Sequence, residues 1–285
     1  MTASSAPLGA AEVWDSVLAP KFLRFRDVLV RGAEPHGRTA LARWPPPPGA
    51  RALDVGCGFG ESTFDLADAA GPSSDVVGVD VARTFVDVAR ADARGRAAAN
   101  LRFVVGDVAE YDVTRPLDYV FSRFGTMFFE RPVATFRRLH AMLQRGGRLV
   151  MTTWRPLAEN PWLSVAKAVA RAWLPAPPEG AIGCGPGPFS LADPDVVRGV
   201  LDRAGFVDVA ISPSAGTTRL GPTLEQAVDF QLAIGPAGEI VREAGAQALA
   251  VLPQLRRHME RALEPSLTAD GVLMSSAAWV VHARA

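Results

Sequence analysis

The chain has 285 residues, of which 48% are hydrophobic, so it can form one large domain with insertions or a domain with a small cap. Lysine and arginine together number 30, as do aspartate and glutamate, and this balance gives no overall attraction to nucleic acid or to an anionic membrane. The two cysteines make no disulfide framework, and the sequence has neither a leader-like N-terminus nor an apolar run of bilayer length, which favours a soluble cytoplasmic protein.

The N-terminal region has the pattern of helices packed beside a main domain. We expect the first eight residues to be disordered and a helix to follow over Gly9–Arg31, where apolar side chains recur at helical spacing. A second helix is predicted over Arg38–Trp44, and Pro45–Pro48 then form a stiff spacer. The aromatic side chains of the first helix, including Trp14 and Phe22, either pack on the main domain or close over a ligand as a lid.

The segment RALDVGCGFGESTFD, residues 51–65, has the pattern of a buried strand, a glycine turn and the start of a helix. The predicted strand is Ala52–Val55 and the predicted helix is Ser62–Ala69, with three glycines at alternate positions between them. Glycine allows positive φ and has no Cβ to obstruct a ligand, and a helix N-terminus presents free N–H groups. This segment therefore predicts a shelf for the sugar and polar tail of a nucleotide-like ligand.

Strands and helices then alternate along the chain. The predicted elements are strand Val76–Asp80, helix Val81–Arg94, strand Leu101–Val105, strand Leu117–Phe121, helix Pro132–Leu143 with Gly146-Gly147 as its cap, and strand Arg148–Thr153. This alternation predicts a parallel sheet with helices on both faces. Ligands bind such sheets in the crevice outside the carboxyl ends of the strands.

Polar residues stand at those carboxyl ends. Asp80 ends the second strand, where a carboxylate can accept both ribose hydroxyls of a nucleotide, including NAD. Asp107 follows the third strand and either binds the exocyclic amine of adenine or simply caps a turn. Ser122 and Arg123 stand at the tip of the fourth strand. Their shared position at one edge of the sheet indicates a single nucleotide site.

The glycine spacing distinguishes between nucleotide classes. A dinucleotide fingerprint, G-x-G-x-x-G, would place glycine where this chain has Glu61, and Asp54 lies inside the strand. The pattern D-x-G-x-G-x-G instead resembles motif I of class I S-adenosylmethionine-dependent methyltransferases. The segments LDVGCGFGEST, VVGVD, FVVGDV and LDYVFSRFGTMFFERPVATFRRLHAMLQRGGRLVMTTW resemble successive motifs of that family, in the style of the ubiquinone/menaquinone-biosynthesis group, over about residues 50–155. Arg145 replaces the proline of the family's L-x-P-G-G-x-L segment.

This resemblance implies a Rossmann-like, doubly wound α/β fold with a seven-stranded sheet, an antiparallel last strand and a helical cap. It also implies S-adenosylmethionine as cofactor and S-adenosylhomocysteine as product. The implied cofactor-binding residues are Asp54, Gly56, Cys57, Gly58, Gly60, Asp80, Val81, Asp107, Val108, Ser122 and Arg123. The loop residues would surround the methionine portion, Asp80 would bind the ribose, and Asp107 would hold the adenine.

The remaining sequence predicts insertions around this core. The predicted divisions are an N-terminal helical lid (1–48), a cofactor-binding core (49–154), a cap insertion (155–190), a continuation of the core (191–216), a helical cap insertion (217–270) and a final core strand (271–285). The predicted elements are a helix ending at Trp173, a Pro/Gly-rich loop around Cys184, helix Val196–Ala204 started by Asp193, strand Phe206–Ile211, helices Thr223–Ile234 and Ala237–Leu263, and antiparallel strand Ala277–Ala283. Pro253 is expected to break or kink the second inserted helix.

Aromatic side chains in the lid, the strand tips and the cap predict an apolar acceptor pocket, although each of them could instead fill the core. These side chains are Phe22, Phe124, Phe128, Trp154, Trp162 and Phe189. His36, expected in the linker between the first two helices, and His258, on an inserted helix, are weak candidates for a general base. His140 and His282 are expected to be structural, and no cluster with metal-ligand spacing is present.

The sequence therefore favours a methyltransferase that acts on oxygen or nitrogen, or on carbon, of a small, partly apolar or aromatic metabolite. Nucleic acid and membrane partners are not expected, and the protein is a monomer or a homodimer. One alternative is a relative that binds S-adenosylmethionine without methyl transfer, such as a pericyclase or a structural subunit. A nicotinamide-dependent oxidoreductase is a further alternative, which Glu61 and Asp54 disfavour.

Overall fold

The computed structural model describes residues 9–96, 98–175 and 187–285, and its central element is one mixed sheet. The strand order is β3-β2-β1-β4-β5-β8-β6, and a short β7 pairs with β8. The strands are β1 Arg51–Val55, β2 Asp75–Asp80, β3 Leu101–Val105, β4 Leu117–Arg123, β5 Leu143–Trp154, β6 Val207–Gly221, β7 Leu267–Thr268 and β8 Gly271–Arg284. Strands β1 to β5 are parallel and β8 is antiparallel to its neighbours β5 and β6, which confirms the predicted fold class.

Helices flank this sheet. They are α1 Ala10–Glu12, α2 Ala19–Arg24, α3 Arg26–Arg43, α4 Glu61–Ala70, α5 Arg83–Arg96, α6 Pro132–Met142, α7 Pro161–Trp173, α8 Pro194–Ala204, α9 Leu224–Ala233, α10 Pro236–Ala244 and α11 Ala246–Leu263. A π-helical segment, Val13–Leu18, joins α1 to α2. None of the helices in the described ranges has both the length and the apolarity needed to cross a bilayer.

The inner strands are short and buried on both faces. In β1, Ala52 and Leu53 have no exposed surface, and in β2 the side chain of Val76 is equally buried. A parallel strand covered by helices on both sides gains most from such continuous apolar runs. This is why the predicted positions of β1 to β4 agree with the structure to within two residues.

The N-terminal helices differ from the prediction. The break lies at Phe25, and α3 then runs without interruption through the segment predicted as a linker, so the predicted position of His36 is wrong. Gly32 and Gly37, which look like helix breakers in the sequence, allow α3 to approach the sheet closely. A Cβ on Gly32 would lie 2.9 Å from Thr218 Cγ2, and one on Gly37 would lie 2.8 Å from Arg123 Cδ. Packing therefore overrides helix propensity here.

Three further boundaries differ from the prediction. The pair Gly146-Gly147 lies within β5 rather than capping a helix, because Gly146 N–H donates to Ala285 O. Strand β6 extends to Gly221 rather than ending at residue 211, since it pairs along most of its length with β8. The predicted helix 237–263 is divided at Gly245, where φ is 51°, whereas α11 continues through Pro253. The predictions for residues 1–8 and for the loop at Cys184 lie outside the described residues.

Asn160 joins the first inserted helix to the last strand. Its side chain is fully buried, and its Oδ1 accepts hydrogen bonds from Ala277 N–H at 2.9 Å and from Trp162 Nε1 at 3.0 Å. Its Nδ2 donates to Arg155 O at 3.0 Å and to Ala277 O at 3.1 Å. A single side chain thereby satisfies backbone and indole groups that lie away from water.

We predict that Asn160→Ala lowers the free energy of unfolding by roughly 2–4 kcal/mol, because it leaves several buried polar groups without partners. Thr223→Ala, which removes the N-cap of α9, is the control and should cost about 1 kcal/mol. Urea denaturation measures both values. Equal losses for the two variants would show that Asn160 is not the anchor described here.

Candidate functional site

A cavity of about 1070 Å³ lies at the carboxyl ends of β1 to β5, between the sheet and the helices of the N-terminal and inserted segments. Most of its described lining comes from three structural groups: the glycine turn with the strand tips, the helices α2 and α3 with the π-helical segment, and the helices α7 and α10. The predicted cofactor-binding residues that line it are Gly56, Cys57, Gly58, Asp80, Val81, Asp107, Val108 and Arg123. The predicted acceptor-binding residues that line it are Phe22, Phe124, Phe128, Trp154, Trp162 and Phe189.

The turn between β1 and α4 requires glycine at two positions that face the cavity. Gly56 has φ of 68°, and a Cβ there would lie 2.9 Å from Gly125 Cα, so the tips of β1 and β4 meet backbone to backbone. Gly58 has φ of 54°, and the space where its Cβ would stand is open. The turn therefore leaves room for a ligand directly against its backbone.

Asp54 lies beneath the turn rather than in the cavity wall. Its carboxylate is fully buried, and Oδ2 accepts hydrogen bonds from Ser62 Oγ and Thr63 Oγ1, each at 2.7 Å. Burial raises the pKa of Asp54 to about 6, an effect that these two hydroxyl donors oppose. Asp54 therefore links β1 to the first turn of α4 and holds the glycine turn in shape.

Two other residues from the predicted cofactor set also lie behind the cavity wall. Ser122 is buried and its Oγ donates to Val55 O at 2.8 Å, which ties the tip of β4 to the end of β1. Gly60 begins α4, and a Cβ there would lie 2.7 Å from Phe103 Cζ. Both residues support the turn and do not face the cavity.

Asp80 faces the cavity and is held by the backbone on both sides. Its Oδ2 accepts from Gly58 N–H and its Oδ1 accepts from Ala82 N–H, both at 2.9 Å. Burial raises the pKa of Asp80, while these N–H donors favour the ionised form. Because each carboxylate oxygen has two lone pairs, the oriented group can still accept two hydroxyl hydrogens from a ligand.

Asp107 and Val108 follow β3 at the neighbouring strand tip. Asp107 Oδ1 accepts from Ala109 N–H at 2.8 Å, so the carboxylate also caps its own turn, and Val108 is buried against the core. The position of Asp107 is compatible with both roles expected from the sequence, binding of the adenine amine and capping of a turn, because the residue caps its own turn and lines the cavity.

Arg123 extends from the tip of β4 to the cavity. Its stem packs against Gly37 of α3, and its Nη1 is buried without a hydrogen-bond partner among the described residues. A buried guanidinium nitrogen without a partner is costly, and an anionic ligand group would satisfy it.

Aromatic rings form the wall next to this tip. Phe124 has φ of 63°, an uncommon value for a bulky residue, and its ring stacks on Trp154 with centroids 3.8 Å apart. The ring centroids of Trp154 and Trp162 are 5.2 Å apart, and those of Phe128 and Trp14, in the π-helical segment, are 4.9 Å apart. The strand tips are thereby joined through aromatic contacts to both the inserted and the N-terminal helices.

The two candidate bases lie elsewhere. His36 is fully buried in α3, with Nδ1 2.8 Å from Ser214 Oγ and Nε2 3.0 Å from Ser276 Oγ, and burial lowers its pKa to about 4. His258 is exposed on α11, where its Nδ1 donates to Gln254 O at 2.9 Å. Neither side chain is part of the described cavity lining, so neither is positioned to remove a proton from a molecule bound there.

Seven charged residues in the lining were not among the predicted site residues, namely Lys21, Glu61, Glu130, Arg131, Lys167, Glu239 and Arg242. Burial raises the pKa of Glu239, although the charges of Lys167 and Arg242 act in the opposite direction. The composition could have drawn attention to Lys21 and Lys167, because they are the only lysines of the chain. Within the described ranges, no group of three or more His, Cys, Asp or Glu side chains is arranged to hold a metal ion.

Comparison with known proteins matches this region to one family. Residues 47–177 match the model described as a methyltransferase domain. An aklanonic acid methyltransferase of a Streptomyces species is 31% identical over 120 residues, or 42% of this chain and 54% of that protein. Nocamycin O-methyltransferase of Saccharothrix syringae is 32% identical over 187 residues, or 61% of this chain and 65% of that protein. The chain thus spans about half to two thirds of these relatives.

A solved structure shows the same fold over nearly the whole chain. Phosphoethanolamine N-methyltransferase 2 of Haemonchus contortus, in complex with S-adenosyl-L-methionine, superposes with a TM-score of 0.60 at 17% identity. The superposition covers 98% of this chain and 60% of that one. Together with the matched domain and the strand order, it identifies a Rossmann-like methyltransferase fold. The chain therefore has the fold of these enzymes, and its residues 47–177 match a methyltransferase domain.

We predict that protonation of His36 contributes to acid unfolding. Its pKa is about 4 in the folded protein and near 6.5 when exposed, so below pH 6.5 the unfolded chain binds the proton preferentially. This group should therefore lower the free energy of unfolding by about 1.4 kcal/mol per pH unit as the pH falls from 6.5 towards 4.

Urea denaturation between pH 8 and pH 5, for the wild type and His36→Gln, measures this contribution. Asp54 has the opposite effect on the free energy of unfolding in part of this range, because its raised pKa favours the folded protein at low pH. The contribution of His36 is therefore obtained from the difference between the wild type and His36→Gln at each pH. The exposed His258→Gln is the control and should follow the wild type. An identical pH slope in His36→Gln would contradict the assignment.

Proposed function

We propose that this protein transfers a methyl group from S-adenosylmethionine to a small, partly apolar or aromatic metabolite. The observation that carries this proposal is the meeting, in one cavity, of an open glycine turn, the oriented Asp80 carboxylate and the unpartnered Nη1 of Arg123 with an aromatic wall. These are the features that a nucleoside, an amino-acid tail and an apolar acceptor require. The acceptor atom is oxygen or nitrogen, or carbon.

The residues divide among the parts of the cofactor. Asp80 accepts the ribose hydroxyls, Asp107 and Val108 hold the adenine beside Val81, and Arg123 pairs with the carboxylate of the methionine portion. The backbone of the glycine turn, Gly56-Cys57-Gly58, passes along the cofactor. Asp54, Gly60 and Ser122 act indirectly, because they hold this turn and the tip of β4 in position.

When bound, S-adenosylmethionine supplies a methyl carbon that is activated by its positively charged sulfur. The task of the protein is to align the acceptor with that carbon and to exclude water. The stacked pair Phe124–Trp154 and the neighbouring Phe128 provide a rigid apolar surface for this alignment. The cofactor would supply the methyl group and leave as S-adenosylhomocysteine, with the electrons of the carbon–sulfur bond remaining on sulfur, and an acceptor that carries a proton would lose it to solvent.

The names of the relatives support a small-molecule acceptor. One acts on aklanonic acid and another is named as an O-methyltransferase in connection with nocamycin. By analogy we place oxygen first among the acceptor atoms. We further propose that the protein is cytoplasmic, acts without nucleic acid or membrane partners, and is a monomer or a homodimer.

Calorimetric titration with S-adenosylmethionine, S-adenosylhomocysteine and NADH tests the cofactor class. Both sulfur nucleotides should bind and NADH should not, because Glu61 occupies the position where a dinucleotide site needs glycine and its carboxylate is bound to Arg26. Binding of NADH alone would refute the proposal. Binding of the sulfur nucleotides without formation of S-adenosylhomocysteine across a panel of phenols, carboxylic acids and amines would favour a non-transferring relative.

Asp80→Asn and Arg123→Met should weaken the binding of different parts of the cofactor. Asp80→Asn removes the charge that the ribose requires, so both S-adenosylhomocysteine and methylthioadenosine should bind about tenfold more weakly or worse. Arg123→Met should weaken S-adenosylhomocysteine to a similar extent and leave methylthioadenosine, which has no carboxylate, within about twofold.

Calorimetry provides these affinities, and Asp87→Asn, an exposed carboxylate on α5, is the matched control with wild-type binding expected. Circular dichroism checks that the folds are unchanged. If Arg123→Met weakened the binding of both nucleosides equally, Arg123 would not be the residue that binds the methionine portion of the cofactor.

A further inference from the structure

Both lysines of the chain line the cavity. Lysine and arginine together number 30, and Lys21 and Lys167 are the only lysines among them. Lys21 lies on α2 and Lys167 on α7, and each side chain is half-buried. Every ion pair in the described part of the chain is made by an arginine, and neither lysine takes part in one. Two ammonium groups thus border a largely apolar cavity without an ion-pair partner in those ranges.

Lys167 lines the cavity from α7, the helix that also carries Trp162 of the aromatic wall. From the tip of β4 the aromatic wall continues through the stacked rings of Phe124 and Trp154, whose centroids are 3.8 Å apart. It then reaches Trp162, whose ring centroid is 5.2 Å from that of Trp154. Lys167 comes five residues after Trp162 on α7, about 7.5 Å further along the helix axis. An acceptor that reaches from the proposed methyl group to Lys167 must therefore be elongated.

Lys21 belongs to α2, whose C-terminal end lies beside α9. Arg24 Nη2 lies 3.4 Å from Asp229 Oδ2, and the ring centroid of Phe25, the residue after α2, is 5.5 Å from that of Phe230. After α9 the chain passes through residues 234–236, which line the cavity, into α10. The two lysines therefore approach the cavity from its N-terminal and its inserted helices.

The remaining charges at this end favour an anionic ligand group. Glu239 of α10 lines the cavity and lies near enough to Lys167 for their charges to interact, and burial disfavours its ionised form, so its pKa is raised. Glu243 raises this pKa further, while Lys167 and Arg242 lower it, and Arg242 itself is ion-paired with Glu243. Positive charge from Lys21 and Lys167 is thus only partly balanced by Glu239.

The volume of the cavity agrees with an elongated acceptor. Pockets that enclose one drug-sized ligand are about 300–1000 Å³. At about 1070 Å³ this cavity lies at the upper end of that range, as a site for a nucleoside together with a second molecule would require.

We propose that the methyl acceptor is an elongated, mostly apolar ring system that carries an acidic group at the end away from the methylated atom, and that Lys167 and Lys21 bind this group. The inference rests on the proposed function for the position of the methyl group. The apolar body packs on the aromatic wall, and the acid receives charge-assisted hydrogen bonds from the ammonium groups. Lys167 and Lys21 are specificity-determining residues in this account.

A pair of dyes with the same rings tests this recognition directly. Anilinonaphthalene sulfonate is an aromatic anion, and phenylnaphthylamine has the same apolar skeleton without the acid. Fluorescence titration of each dye into the full chain at neutral pH, with S-adenosylhomocysteine present, gives both affinities. Lys167→Met should weaken the sulfonate about tenfold and change the neutral dye less than twofold, and Lys21→Met should act in the same direction.

Two controls fix the interpretation. Arg171→Met removes an exposed cation one turn further along α7, outside the described cavity lining, and should leave both dyes unchanged. Lys167→Arg should restore most of the affinity for the sulfonate, because it keeps the charge. Far-ultraviolet circular dichroism shows whether each variant is folded.

The proposal is overturned if the sulfonate fails to bind, if both lysine substitutions leave its affinity unchanged, or if they weaken the two dyes equally. These results are independent of the cofactor test. Failure of S-adenosylhomocysteine to bind in calorimetry, with dye selectivity retained, would refute methyl transfer and leave the acid site standing. Loss of dye selectivity with normal cofactor binding would refute acid recognition alone.

Discussion

Two carboxylates hold the turn on which the site depends. Asp54 binds the hydroxyls of Ser62 and Thr63 from below, and Asp80 binds the N–H of Gly58 from the side of the neighbouring strand. The two cavity-facing positions of the turn are glycine, whereas Cys57 and Phe59 pack into the core behind it. The hydrogen bonds from β1 and β2 add to this packing, and the same Asp80 carboxylate that supports the turn also faces the cavity.

The N-terminal helices close this edge of the sheet through polar contacts with the same elements. Arg26 at the start of α3 donates to Glu61 at 2.9 and 2.6 Å and to Asp92 at 2.6 Å, which joins α3 to α4 and α5. Asp15 of the π-helical segment accepts from Thr84 N–H at 2.8 Å at the start of α5. The apolar residues of these helices then complete the aromatic wall, so one set of contacts both closes the cavity and shapes its acceptor side.

The sequence predicted the glycine turn and the strand tips well, because their features are local. A buried apolar run followed by glycine or aspartate marks the end of a parallel strand, and β1 to β4 with Asp80 and Asp107 followed from that pattern alone. The acceptor end depends on contacts between distant segments. His36 was expected in a linker, whereas packing of α3 on β6 buries it, and no local signal placed Lys167 in the cavity lining.

A crystal structure of the protein with S-adenosylhomocysteine tests most directly the proposed positions of the ribose, the amino-acid carboxylate and the sulfur in the cavity. The ribose should lie within hydrogen-bond distance of the Asp80 carboxylate, the amino-acid carboxylate should lie at the Arg123 guanidinium, and the sulfur should face the stacked rings of Phe124 and Trp154. The aromatic surface and both lysines would then border empty space for the acceptor. A nucleoside bound in another orientation, with its sulfur directed away from these rings, would contradict the account.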